Sequence, residues 1–223
     1  MNTVEAAEKY FGNDPEVKPL LKVIKQARTT KDPNKLHELS KHPNRHVQNA
    51  VAENEKTQHN TLTRMTDYNV AAARRVADSD KTTQARLHKL ASHPDKEVRD
   101  RVAFNSKRRD TLHQLAHDPS VTVRQSVAGN EKTHPETHQL LADDPEFIVR
   151  YGVAVTTKNH KLLHKMANRR GEDQEVRYAI ADSEYVHPDT LDHLAKDPDR
   201  YVRRAVSDNP RTRESTRRKI KLK

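Results

Sequence analysis

The sequence predicts an all-α chain of short stacked repeats, an α-solenoid, on three observations. One phrase recurs seven times at almost constant spacing, and each copy sets two short apolar-periodic segments on either side of a turn. With the second apolar position of the "V-R-x-x-V-A" half as a ruler, the marks are Val51, Val76, Val102, Val127, Val153, Ile180 and Val206, in steps of 25, 26, 25, 26, 27 and 26. A period in this range signals a solenoid. The third observation is composition: hydrophobic residues are 32% and aromatics 4% of 223 residues, with no tryptophan. That is too little for a thick globular core and enough for a ribbon in which each repeat buries a thin stripe against its neighbours. A charged fraction of 33% would suit a disordered chain, but disorder does not hold apolar positions in register over seven copies.

Taken in order, residues 1–35 lie outside the register, and Leu20, Leu21, Ile24 and Ala27 predict a helix that covers the open end of the stack as an N-terminal cap. Residues 36–210 hold the seven repeats of 25–27 residues. The first segment of each carries a Leu-x-x-Leu mark, as at Leu36 and Leu39, Leu87 and Leu90, and Leu112 and Leu115. The turn follows. Asp118-Pro119, Asp144-Pro145 and Asp197-Pro198 read as a capping carboxylate ahead of a proline at the first helical position, whereas His42-Pro43 and His93-Pro94 keep only the proline. The second segment places Val98 and Val102, Val123 and Val127, Val149 and Val153, Val176 and Ile180, and Val202 and Val206 four apart on one helix face. It stops near Asn54, Asn105, Asn130 and Asn209, a residue type that tolerates the left-handed conformation common past a helix end. Thr133-His134-Pro135-Glu136 then has capping-box spacing and opens the next first segment. Segments this brief depend on stacking for their helicity. Three repeats depart from the template: the second with Asp67-Tyr68-Asn69 and Ala72, the fifth with Val155-Thr156-Thr157, and the sixth with the enlarged turn Arg169-Arg170-Gly171-Glu172-Asp173.

The order Leu-x-x-Leu-Ala, Asp-Pro-Asp, Val-Arg-x-x-Val-Ala, Asn-x-x-Thr over residues 36–210 resembles the leucine-rich repeat variant family, a HEAT-like set of shorter helical repeats. The resemblance implies a right-handed superhelix with alternating α and 3₁₀ helices, so that one of the two segments would be 3₁₀. Some family members add an iron-sulfur module ligated by cysteines, for which this chain has no ligands. The resemblance implies a binding surface and no activity.

With no cysteine, the chain has no disulfide, thiol nucleophile or thiolate metal site, in keeping with a reducing, cytoplasmic setting. No segment approaches the roughly 20 apolar residues of a spanning helix. Four glycines, Gly12, Gly129, Gly152 and Gly171, cannot build a phosphate-cradling loop, and no nucleophile elbow or acid pair stands in a defined context. Helical-repeat DNA glycosylases have the nearest enzyme shape but rely on tryptophans that this chain lacks. The reading is therefore a non-enzymatic protein with no cofactor and no small-molecule substrate.

Net charge is +10, unevenly placed: residues 211–223 hold seven basic and one acidic side chain. Arg99, Arg124, Arg150, Arg177 and Arg203 occupy one position in five consecutive repeats and predict a ladder. It can brace the stack by pairing with Asp95, Asp118, Asp144, Asp173 and Asp199. Otherwise it can form a phosphate-binding stripe in which Tyr151, Tyr178, Tyr201 and Arg204 add stacking and charge. Arg213, Arg217 and Arg218 in the tail serve either a C-terminal cap or an electrostatic arm. His37, His88, His113, His138 and His164 read as a partly exposed column; neighbouring helices about 8–10 Å apart keep them from a shared metal. The expected function is a scaffold that engages a protein partner along one face, and the alternative is binding of nucleic-acid backbone through the arginines and the tail.

Overall fold

The computed structural model describes residues 14, 15 and 17–220, so the start of the expected cap and Lys221, Leu222 and Lys223 of the tail lie outside the described residues. The described residues contain sixteen α-helices and no strand. They fall into two compact units, Met1–Arg86 and Leu87–Lys223. The first holds α1 (Lys18–Thr29), α2 (Pro33–Leu39), α3 (Arg45–Glu53), α4 (His59–Met65) and α5 (Val70–Asp78), and the division falls within α6 (Gln84–Leu90). The second holds α7 (Lys96–Asn105), α8 (Arg109–Leu115), α9 (Val121–Ala128), α10 (Pro135–Leu141), α11 (Phe147–Thr156), α12 (His160–Ala167), α13 (Gln174–Asp182), α14 (Pro188–Leu194), α15 (Arg200–Asp208) and α16 (Glu214–Arg217).

The stack is made by the longer, second helix of each repeat. In the first unit α1 packs on α3 and α3 on α5; in the second, α7, α9, α11, α13 and α15 pack in sequence order. Their contacts are the valines read from the period: Val98, Val102, Val123, Val127, Val149, Val153, Val176, Ile180, Val202 and Val206 are fully buried. Each such side chain contributes about 1.5–3 kcal/mol of transfer free energy, so ten in one row can hold helices that would not survive alone. The apolar positions of the first helices, among them Leu36, Leu112, Leu115, Leu141, Leu163, Leu191 and Leu194, close the other side of the ribbon. The helix expected around Leu20 to Ala27 is α1, which buries Leu21, Ile24 and Ala27 against α3.

Both segments of the repeat are α-helical, so the alternation with 3₁₀ helices is not what the described residues show. Tighter, three-residue bonds recur at the exit of the first helices. There Asp118 N–H reaches Leu115 O at 3.1 Å, Asp144 N–H reaches Leu141 O at 3.2 Å, and Asp197 N–H reaches Leu194 O at 3.0 Å. These three-residue bonds satisfy carbonyls that a seven-residue helix leaves without partners.

The turn aspartates do not cap the second helices, whose N-caps lie two residues further on at Ser120, Glu146 and Asp199. Asp118 instead accepts the Ser120 N–H at 2.8 Å, Asp144 that of Glu146 at 3.0 Å and Asp197 that of Asp199 at 2.8 Å. This is an Asx turn, which needs only a short acceptor two residues upstream. His42 and His93 do the same with Nδ1, accepting from Asn44 and Asp95 at 3.1 and 3.0 Å.

The helix-ending asparagines are not left-handed: no residue other than glycine has positive φ among the described residues. Asn54 Nδ2 donates to the carbonyls of Ala27, Arg28 and Thr30 at 2.8, 3.1 and 3.0 Å, and Asn130 Nδ2 to those of Ala103, Phe104 and Ser106 at 2.7, 3.1 and 2.9 Å. Asn209 likewise reaches Ala181 and Ser183. One side chain thus satisfies the orphan carbonyls at the end of the preceding second helix. Asn105 departs, because α7 runs one residue longer and its amide bonds back to Arg101. In the second repeat Arg75 takes the task, reaching the Ala52 and Asn54 carbonyls, and in the fifth Thr156 reaches Ala128 at 2.6 Å. Thr133 closes no capping box; it donates to Val127 O at 2.6 Å and leaves the cap of α10 to His134.

Candidate functional site

The arginine ladder forms, and its geometry decides what it does. Arg99 directs Nε and Nη2 at Asp118 of the next repeat, at 2.6 and 3.0 Å, while Nη1 returns to the carbonyls of His93 and Pro94 at 2.8 and 2.9 Å. Arg124 repeats this on Asp144 at 2.7 and 3.1 Å, Arg177 on Asp197 at 2.7 and 3.1 Å, and Arg150 on Glu172, with Nη2 to Oε1 at 2.7 Å. Arg203 holds the carbonyls of Asp197 and Pro198 at 2.7 and 2.9 Å. A planar fork meeting a carboxylate side-on is the strongest geometry such a pair offers. These hydrogen bonds raise the Arg99, Arg124 and Arg177 guanidinium pKa values above the ordinary arginine range.

Two corrections follow. Of the expected partners, Asp118 and Asp144 are used, Glu172 and Asp197 stand in place of Asp173 and Asp199, and Asp95 caps α7 by accepting from Glu97 and Val98. The phosphate-stripe reading of Arg99, Arg124, Arg150 and Arg177 loses its donors, since both edges of each fork are occupied within the stack.

A second ladder runs along the first helices. His37 Nδ1 meets Thr61 Oγ1 at 3.2 Å, His88 meets Thr111 at 2.8 Å, His113 meets Thr137 at 3.1 Å and His164 meets Thr190 at 2.9 Å, each threonine being buried one repeat ahead. His138 is not in this column. The register of Leu112 and Leu115 against Leu141 puts it at the leucine position, where it is buried and Nε2 lies 3.3 Å from Thr156 Oγ1. Burial lowers its pKa, and a bond to the Ala128 carbonyl offsets part of that shift. His113 and His117 meet edge to face with ring centroids 5.5 Å apart.

The tail folds on the seventh repeat. Arg213 pairs with Asp189 at 2.6 Å and with Asp192, Thr216 Oγ1 also reaches Asp192, and Arg217 donates to the carbonyls of Ser207 and Asn209 at 2.9 and 3.1 Å. Arg218 pairs with Glu214 at 3.0 Å. Of the three arginines expected as an arm, two are therefore spent on docking α16.

The tyrosines stay outside. Tyr151, Tyr178 and Tyr201 are exposed on α11, α13 and α15, with the Arg200 guanidinium 4.8 Å above the Tyr201 ring and Arg204 paired to Asp208 at 3.4 Å. Around the first two lies a feature the sequence reading missed. One i, i+4, i+8 stripe on the outer side runs through Val121, Gln125 and Gly129 on and just past α9, Phe147, Tyr151 and Val155 on α11, and Gln174, Tyr178 and Asp182 on α13; Asp182 is charged, and Glu175 is an exposed charge beside the stripe. The equivalent positions on α7 are Lys96, Asp100 and Phe104, and on α15 Arg200, Arg204 and Asp208. Phe104, Phe147, Tyr151, Val155 and Tyr178 are all exposed large apolar side chains. The i, i+4, i+8 spacing of Phe147, Tyr151 and Val155 was a visible signal, masked because the same helix also buries Val149 and Val153 on its opposite side.

No helix among the described residues is long and apolar enough to cross a membrane. No protein-family model matches the chain, and no curated protein matches it. A solved structure described as a leucine-rich repeat variant with a novel repetitive structural motif does match, at 25% sequence identity and a TM-score of 0.64, over 79% of this chain and 71% of that one. With its repeated helix packing and this shared backbone, the chain is an α-solenoid built on the leucine-rich repeat variant fold.

Proposed function

We propose that the chain is a non-enzymatic binding scaffold that engages a protein partner on the outer faces of α9, α11 and α13. The observation that carries this reading is a charge-poor window. In a chain with one charged residue in three, eight of the nine positions of this stripe are uncharged, with Asp182 on it and Glu175 beside it as the charges of α13, and the equivalent positions on α7 and α15 are mostly charged. Exposed aromatics inside a polar rim are the composition of a protein interface core. The nucleic-acid alternative loses four of the arginines it called on, because Arg99, Arg124, Arg150 and Arg177 direct their forks at carboxylates within the stack and backbone binding needs unspent cations.

Two measurements test the reading. Tyr151→Asp with Val155→Asp places charge in the window without touching the buried face; it should leave the thermal melt unchanged and abolish partner capture in affinity purification followed by mass spectrometry. Labelled random DNA and RNA titrated across a salt series should bind weakly and without a steep slope. Tight binding that falls log-linearly with salt would replace the protein-scaffold reading by the nucleic-acid one.

A further inference from the structure

The sixth repeat carries the longest step of the ruler, 27 residues from Val153 to Ile180, and the additional length sits in the turn Arg169-Arg170-Gly171-Glu172-Asp173. Gly171 takes φ +73°, a conformation that side-chain-bearing residues seldom adopt. The turn walls an open hollow of about 430 Å³ against the exit of α14, where His193 and Lys196 stand.

The charges around the hollow do not cancel. The two acids in its lining are spent: Glu172 is held by Arg150, and Asp197 by Arg177. Arg169 turns away toward the Ala142 carbonyl at 3.2 Å and Asp143 at 3.9 Å. Arg170 and Lys196 remain, exposed and without an ion-pair or hydrogen-bond partner for their side chains among the described residues, and His193 lines the same hollow. An arginine and a lysine lining one hollow whose acids are already neutralised match a dianion better than a single carboxylate. The geometry points to a phosphoryl-binding site at the enlarged turn, taking either inorganic phosphate or the phosphate of a phosphorylated side chain through Arg170 and Lys196. It is independent of the charge-poor window, which uses no residue of this turn.

The test is calorimetric titration of the full chain with sodium phosphate and, separately, with O-phosphoserine at matched ionic strength. Saturable binding with a dissociation constant below about 10 mM is expected, and Arg170→Ala with Lys196→Ala should weaken it at least about tenfold. Both side chains are exposed, so circular dichroism and the melting curve should match the parent. A second pair, Lys132→Ala with Lys219→Ala, removes the same charge elsewhere and should leave the affinity intact. Phosphoserine binding at least as tightly as phosphate identifies a phosphorylated side chain as the natural ligand, and the reverse identifies the free anion. Absence of binding at that concentration, equal weakening in both pairs, or full affinity in the Arg170 and Lys196 pair overturns the site.

Discussion

Arg150 and Glu172 form the most deeply buried ion pair among the described residues: their side chains are 8% and 0% exposed, and Nη2 lies 2.7 Å from Oε1. Glu172 also accepts the Asp173 N–H at 2.9 Å, and Arg150 Nη1 also holds the carbonyls of Asp144 and Pro145 at 2.8 and 2.9 Å. Removing one partner leaves a desolvated charge with nothing opposite it. Glu172→Ala should therefore cost about 3–5 kcal/mol in urea unfolding. The double replacement Arg150→Met with Glu172→Leu removes both charges and should cost clearly less, with a residue of about 1–2 kcal/mol for the backbone groups left without partners. A double variant as unstable as the single one would mean that the pair's own attraction, and not the stranded charge, dominates.

Asn130 is the second element to probe. Its amide is shared among three carbonyls of the preceding repeat, and its Oδ1 accepts the Lys132 N–H at 2.8 Å. Asn130→Ala should lose about 2–3 kcal/mol, since several buried backbone groups lose their partner together. Asn130→Asp should be worse than alanine, because it turns a carboxylate oxygen toward the same carbonyls. Chemical denaturation of the two variants checks the order; if alanine proves the less stable, the staple does not act through its donor.

The buried histidine gives the fold a pH dependence whose sign follows from its surroundings. Burial lowers the His138 pKa below the ordinary histidine value. Below that value the unfolded chain binds a proton that the folded chain does not, so the unfolded state gains and stability falls as the solution is acidified. His138→Leu restores the residue type found at Leu112 and removes this contribution. The denaturation midpoint of the parent should drop more between pH 7.5 and pH 5.5 than that of the variant. Parallel drops would assign the acid sensitivity to other groups.

The architecture was legible because the core depends on spacing: the positions of Val98 and Val102, or Val202 and Val206, name their own helix face and need no knowledge of a neighbour. What the side chains do between repeats was harder to read. Asp118 looked like a helix cap because Asp before Pro is a local signal, yet its carboxylate serves an Asx turn and an arginine 19 residues upstream. Asn130 looked like a left-handed terminus, and its partners lie 24 to 27 residues away. His138 was misplaced by one position because a histidine in a leucine slot gives no apolar mark. The charge-poor window emerges only when equivalent positions of three repeats are laid side by side.

Gly152 shows the same inter-repeat dependence in its simplest form. It lies inside α11, where glycine costs about 0.5–1 kcal/mol relative to alanine, so replacement would help an isolated helix. In the stack, a Cβ at this position would meet Ala128 Cβ at 2.9 Å and Gly129 N at 3.4 Å. Ala128 is fully buried and has no rotamer to change, so the helices themselves would have to separate, at about 1–3 kcal/mol for overpacking. The second effect wins, and Gly152→Ala should lose about 1 kcal/mol net. Ala128→Gly should be destabilising by a similar amount, through backbone freedom and a small void. The pair together exchanges the methyl group across the contact and should be more stable than the sum of the single losses, a coupling that a double-mutant cycle measures directly. Strict additivity would mean that α9 and α11 can part without cost, and that the close approach does not help set the spacing of the stack.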